Sequence, residues 1–126
     1  MGSNTAITAH EETARLNIHE LVQRMNSHLG ATVVDALAGV RDSKLPYRWA
    51  KPDGPTPNAG AVDRLQFAHR IWRELSDAES DHVARTWFIS SNPLLGETAP
   101  YMALREGKTR ETLDAANGFI NGTWVA

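Results

Sequence analysis

Trp87-Phe88-Ile89-Ser90-Ser91-Asn92-Pro93-Leu94-Leu95-Gly96, followed after Glu97 by Thr98-Ala99-Pro100-Tyr101-Met102-Ala103-Leu104-Arg105-Glu106-Gly107, sets the architecture. It reads as a helix end, a tight turn, a Pro-led short helix and a Gly stop. Asn92-Pro93 initiates the turn, because a proline pushes the residue before it out of the helical region. Pro100 suits a first helical turn, where a missing N–H costs little. Gly107 suits the position after a helix, where φ is positive. Within 87–96, two aromatics and two leucines crowd a segment too short to bury them by itself. The rest of the chain, or a partner, must cover them.

Upstream, the apolar residues recur at helical spacing. Asn17 and Glu20 form a capping pair, and Ile18, Leu21, Val22, Met25 and Leu29 follow as one stripe up to Gly30. A second helix spans 31–38, closed by Gly39, with Val40 turned back to the core. A third is predicted from Ser43 to Lys51, capped by Asp42 or Ser43, with Leu45 buried and Pro46 tolerated in its first turn. Pro52 to Pro57 break the chain. A fourth helix, roughly 59–75, buries Val62, Leu65, Ala68, Trp72 and Leu75. Ser76 and Glu79 read as the capping box of a fifth, which turns Ala84, Trp87 and Phe88 inward. The last helix runs from Thr109 to Asn121 and buries Leu113, Ala116 and Ile120. Residues 1–15 lack a clear period and read as a flexible arm. The fold expected is all-α.

The 126 residues fit one compact domain or two small ones sharing a core. The chain has no cysteine, which excludes disulfides and thiolate-bound metals. No apolar run is long enough for a membrane helix. The first residues lack the basic and apolar regions of a secretory signal, so a cytoplasmic setting is expected. Net charge is −2, but its distribution is uneven. Residues 41–73 carry seven basic and three acidic side chains, between a net of −2 before and −4 after. Such a basic middle is a local electrostatic footprint.

Short helix, Gly-led turn and short basic helix with Trp49 make a helix-turn-helix pattern. Arg41, Ser43, Lys44, Tyr47, Arg48 and Lys51 fall on its turn and third helix. Arg and Lys can bond guanine or phosphate, and Ser43 and Tyr47 can hold backbone oxygens. The plainer reading is a solvated basic face. Arg64, Arg70 and Arg73 are assigned to an exposed face of the fourth helix. The five histidines are scattered, with no metal-ligand spacing. There is no phosphate loop, and Ser90-Ser91 has no recognisable base nearby. The chain reads as not an enzyme, with no cofactor and no metal.

The opening stretch also resembles the toxin-binding domain of Xre/MbcA/ParS-type antitoxins. The matching residues are Trp87, Asn92, Pro93, Leu95, Pro100, Leu104, Gly107 and the tail Gly122-Thr123-Trp124-Val125-Ala126. The resemblance implies a helix-turn-helix domain over 16–75 and a toxin-binding domain over 76–126. It implies a partner toxin of the RES fold that consumes NAD, an active site plugged by the antitoxin, and repression of the shared promoter. Trp87, Asn92, Leu94, Leu95, Tyr101, Phe119, Trp124 and Val125 are the expected toxin contacts. A homodimer is expected on operator DNA, since half-sites mirror a two-fold protein. The alternative is a helix-turn-helix regulator, or phage-type repressor, without a toxin. A third possibility is an adaptor whose basic helix never meets DNA.

Overall fold

The structure, a computed structural model, describes residues 17–122. The arm expected over 1–15 and the tail positions Trp124 and Val125 lie outside the described residues. Within them the chain forms seven α-helices and one 3-10 turn. The described residues contain no strand, only an isolated bridge between Asn92 and Thr98. The all-α expectation holds. No helix among the described residues is long and apolar enough to cross a membrane.

Helix α1 is Ile18–His28. Asn17 starts it: its side chain accepts from the Glu20 N–H at 2.9 Å and donates to Glu20 Oε1 at 2.8 Å. Leu21, Val22 and Met25 are fully buried on one face. Helix α2 is Ala31–Ala38, and it buries Val33, Val34, Leu37 and Ala38. Gly39 ends it at φ 77°. Its N–H bonds Ala36 O, and Val40 N–H reaches Asp35 O at 3.2 Å. That pair of bonds satisfies carbonyls the helix end would leave open.

Helix α3 is Leu45–Trp49, shorter at both ends than the expected 43–51. Asp42 explains the late start. Its carboxylate accepts from Lys44 N–H at 3.0 Å, and its carbonyl accepts from Leu45 N–H at 3.0 Å. The side chain thus holds a turn where a helix would otherwise begin. Pro46 and Trp49 are buried, whereas Leu45, expected inside, is half-buried.

Helix α4, Ala59–Ala78, is capped by Asn58 and runs past its expected end. The reading of Ser76 as a cap is corrected. Ser76 lies inside α4, and its hydroxyl donates to Arg73 O at 3.1 Å. The cap of helix α5, Asp81–Ile89, is Ser80, which accepts from Val83 N–H at 3.1 Å. Four residues of difference arise because Ala78 and Leu75 continue the helical pattern through Ser76. The buried stripe holds at Leu65, Ala68, Ile71, Trp72 and Leu75, but Ala61 is buried and Val62 half-buried.

After α5 the chain makes the 3-10 turn Pro93–Leu95, capped by Asn92. Helix α6 is Pro100–Arg105. It closes on Gly107 (φ 85°), with Gly107 N–H to Leu104 O and Lys108 N–H to Ala103 O. Helix α7 is Thr109–Asn121, as expected. Ala116 is buried there with Thr112 and Ala115, while Leu113 and Ile120 are half-buried.

Helix α4 is the central member. It packs against α1, α2, α5, α6 and α7. Helix α2 also packs on α6. The buried side chains form one cluster from Leu21 to Ala116, so the residues before and after Ser76 share a core. The expected boundary between 75 and 76 falls inside α4. The loop to α3 and the turn after α5 are left on the surface, and the two candidate sites lie there.

Candidate functional site

The first site is a basic face. Arg41, Ser43, Lys44, Tyr47, Arg48 and Lys51 are all exposed, and Tyr47 keeps 62% of its surface. None of the four cations pairs with a carboxylate among the described residues. Asp42, the one acid between them, spends its carboxylate on the Lys44 N–H.

What holds this face is α1 below it. Asn26 Nδ2 donates to Pro46 O at 3.0 Å. His19 Nδ1 lies 2.8 Å from Trp49 O, and since a carbonyl only accepts, that nitrogen carries the proton. Buried Trp49 and Pro46 pin α3 from inside. A five-residue helix rises about 7.5 Å, too little to be stable alone. Its orientation is therefore set by these tertiary contacts.

Arg64 is the misread residue. It is not on a solvated face. It reaches from α4 to the end of α2, where Nε donates to Leu37 O at 2.7 Å and Nη2 to Ala38 O at 2.9 Å. Arg70 and Arg73 are each about one-third exposed and face Glu74, itself buried, and Asp77 one turn on. No sequence pattern flags Arg64, because its partners are carbonyls 26 and 27 residues away.

The second site is an apolar groove of about 410 Å³ between α5, the 90–95 turn and α7. Trp87, Asn92, Leu94 and Phe119, all expected partner contacts, line it. Trp87 stands edge-on to buried Phe88, with ring centroids 5.2 Å apart. Leu94 is 45% exposed on the rim. Asn92 builds the turn: its Oδ1 accepts from Leu94 N–H and its carbonyl from Leu95 and Glu97 N–H, each at 2.9 Å. Pro93 fixes the backbone between, so Leu94 points outward while Leu95 turns in.

Leu95 and Tyr101 do not line the groove. Leu95 is buried, and Tyr101 is half-buried against the core. The lining also includes His82, Val83, Thr86, Ser90, Ser91, Pro93 and Ala115, none of which was expected as a contact. The signal was present in part: 83, 86, 87 and 90 share a helix face, as do 115 and 119. Among the described residues, no three His, Asp or Glu side chains gather as metal ligands. His69 is buried in α4, and His28 stacks on Trp72 at 4.0 Å.

No family model, curated protein or solved structure matches the chain.

Proposed function

We propose that the protein is the antitoxin of a type II toxin–antitoxin pair. It neutralises a RES-domain, NAD-consuming toxin by occluding its active site, and represses its own promoter as a dimer. It has no catalytic role of its own. The observation that carries this reading is the apolar groove that brings Trp87, Asn92, Leu94 and Phe119 together. Those residues belong to the stretch and the last helix that resemble the toxin-binding domain. A concave apolar site with an exposed leucine on its rim suits a protein partner, whose aromatic or aliphatic anchors fill such pockets. The Asn-Pro turn supports the reading by presenting Leu94 at a fixed angle.

The exposed cations around α3 support the promoter arm, since unpaired Lys and Arg can release counterions from phosphates. That face alone is equally compatible with a regulator that has no toxin. Co-expression separates the two. Cells that make a RES-domain toxin from the same operon are expected to keep their NAD and to grow when this protein is present. The two proteins are expected to co-purify. DNA binding with neither protection nor co-purification leaves the regulator and refutes the antitoxin.

A further inference from the structure

The Arg64 bridge grips the end of α2, whereas side chains of α1 hold α3. Helix α2 ends at Gly39, whose own turn satisfies the carbonyls of Asp35 and Ala36. The next two, Leu37 and Ala38, lie where a helix leaves its acceptors open. Arg64 fills both with one guanidinium, at 2.7 and 2.9 Å. A planar fork suits two adjacent acceptors as a lysine ammonium does not. Its charge also meets the negative end of the helix dipole. A Cβ at Gly39 would come within 3.2 Å of Nη2, so glycine lets the guanidinium lie against the turn.

We propose that Arg64 is the positioning residue of the DNA-reading turn, an inference that rests on the promoter-binding reading above. The chain from Gly39 to Lys44 leaves α2 at the point Arg64 grips. Asp42 N–H is tied back to Asp35 Oδ1 at 3.2 Å, so the turn follows the end of α2. On the far side α1 holds α3 through Pro46 and Trp49. Arg41, Ser43 and Lys44 stand between these two anchors. Loss of the α4 anchor frees the α2 end of the turn while leaving α3 attached to α1. Arg64 touches no DNA in this arrangement. It acts on recognition by fixing where the reading side chains stand.

The test uses the full chain with Arg64→Ala, Arg64→Gln and Arg64→Lys. The probes are a duplex from upstream of its own gene and a scrambled duplex of the same length. Binding is measured across a salt series, with thermal melting and amide exchange at 39–45. Arg64→Ala is expected to weaken upstream-duplex binding about tenfold. Its salt slope and its scrambled-duplex binding are expected to stay unchanged, because no phosphate contact is lost. Exchange at 39–45 rises, and Arg64→Lys recovers part of the loss. If Arg64→Ala does not fold, Arg64→Gln, which keeps part of the stem and one donor group, carries the measurement.

A slope reduced by about one unit makes Arg64 a phosphate contact and overturns the positioning role. Unchanged upstream affinity with a lower melting point leaves it a structural cap and also overturns it. A parent protein that binds neither duplex refutes the DNA reading itself. That failure is visible before any variant is compared.

Discussion

Single side chains at the two faces carry different kinds of consequence. Lys44 and Arg48 are exposed and make no ion pair among the described residues, so their loss costs the fold little. The double variant Lys44→Ala, Arg48→Ala is expected to melt like the parent and, on the proposed promoter binding, to bind that DNA more weakly. Its log–log salt slope should fall by nearly two units, about one per phosphate contact. An unchanged slope in a titration from low to high salt leaves α3 a structural element. Gly54 behaves in the opposite way. A Cβ there would sit 2.0 Å from the carbonyl oxygen of Arg48, which is backbone and cannot swing aside. Gly54→Ala is therefore expected to destabilise the protein by about 1–3 kcal/mol, read as a lower urea midpoint. Sequence inspection marks Gly54 only as a loop glycine; the close approach belongs to the folded loop.

At the scale of the element, the caps decide where helices begin. Asn17 and Asn58 are visible in the sequence, because each has an apolar periodic run directly behind it. The sequence points to Ser76 as the cap of α5, whereas the structure caps it with Ser80. Packing accounts for the difference, since Leu75 is fully buried and α4 continues to Ala78. Ser80→Ala is expected to cost about 1 kcal/mol as a lost N-cap. Ser76→Ala should stay within about 0.5 kcal/mol, since its hydroxyl only bonds back within its own helix. Equal losses in the two variants, measured by denaturant unfolding, contradict this assignment. Helix α3 shows the same kind of difference at shorter range. Its five residues cannot fix their own ends, and Asp42, Trp49 and the α1 side chains do so.

At the scale of the whole molecule, one core serves two exposed faces. Helix α4 touches helices on both sides of Ser80, and the buried side chains before and after it form one cluster. Fragments 17–79 and 80–122, expressed separately, are expected to show no cooperative melting by circular dichroism; a sharp transition in either makes it an independent domain. The groove is separable from that core. Thr86 and Leu94 line it while exposed, so Thr86→Glu with Leu94→Glu should leave melting and DNA binding nearly intact. On the proposed antitoxin function, the same variant should lose protection against the toxin, since charge on an apolar anchor opposes docking. Retained protection in a growth assay removes the groove from the partner surface. The sequence by itself determined the helical class, Thr109–Asn121 as the last helix and the basic turn at 41–51. These follow from local terms: 3.6-residue periodicity, proline and glycine geometry, and charge counted along the chain. Only the tertiary structure decided the rest. It moved Arg64 from a solvated face to the end of α2, drew Leu95 and Tyr101 away from the groove, and brought α5 and α7 together to make it. The physical reason is that those features depend on groups many residues apart in the chain. Periodicity says which face of a helix is buried, but the partner of that face is fixed only when the helices pack.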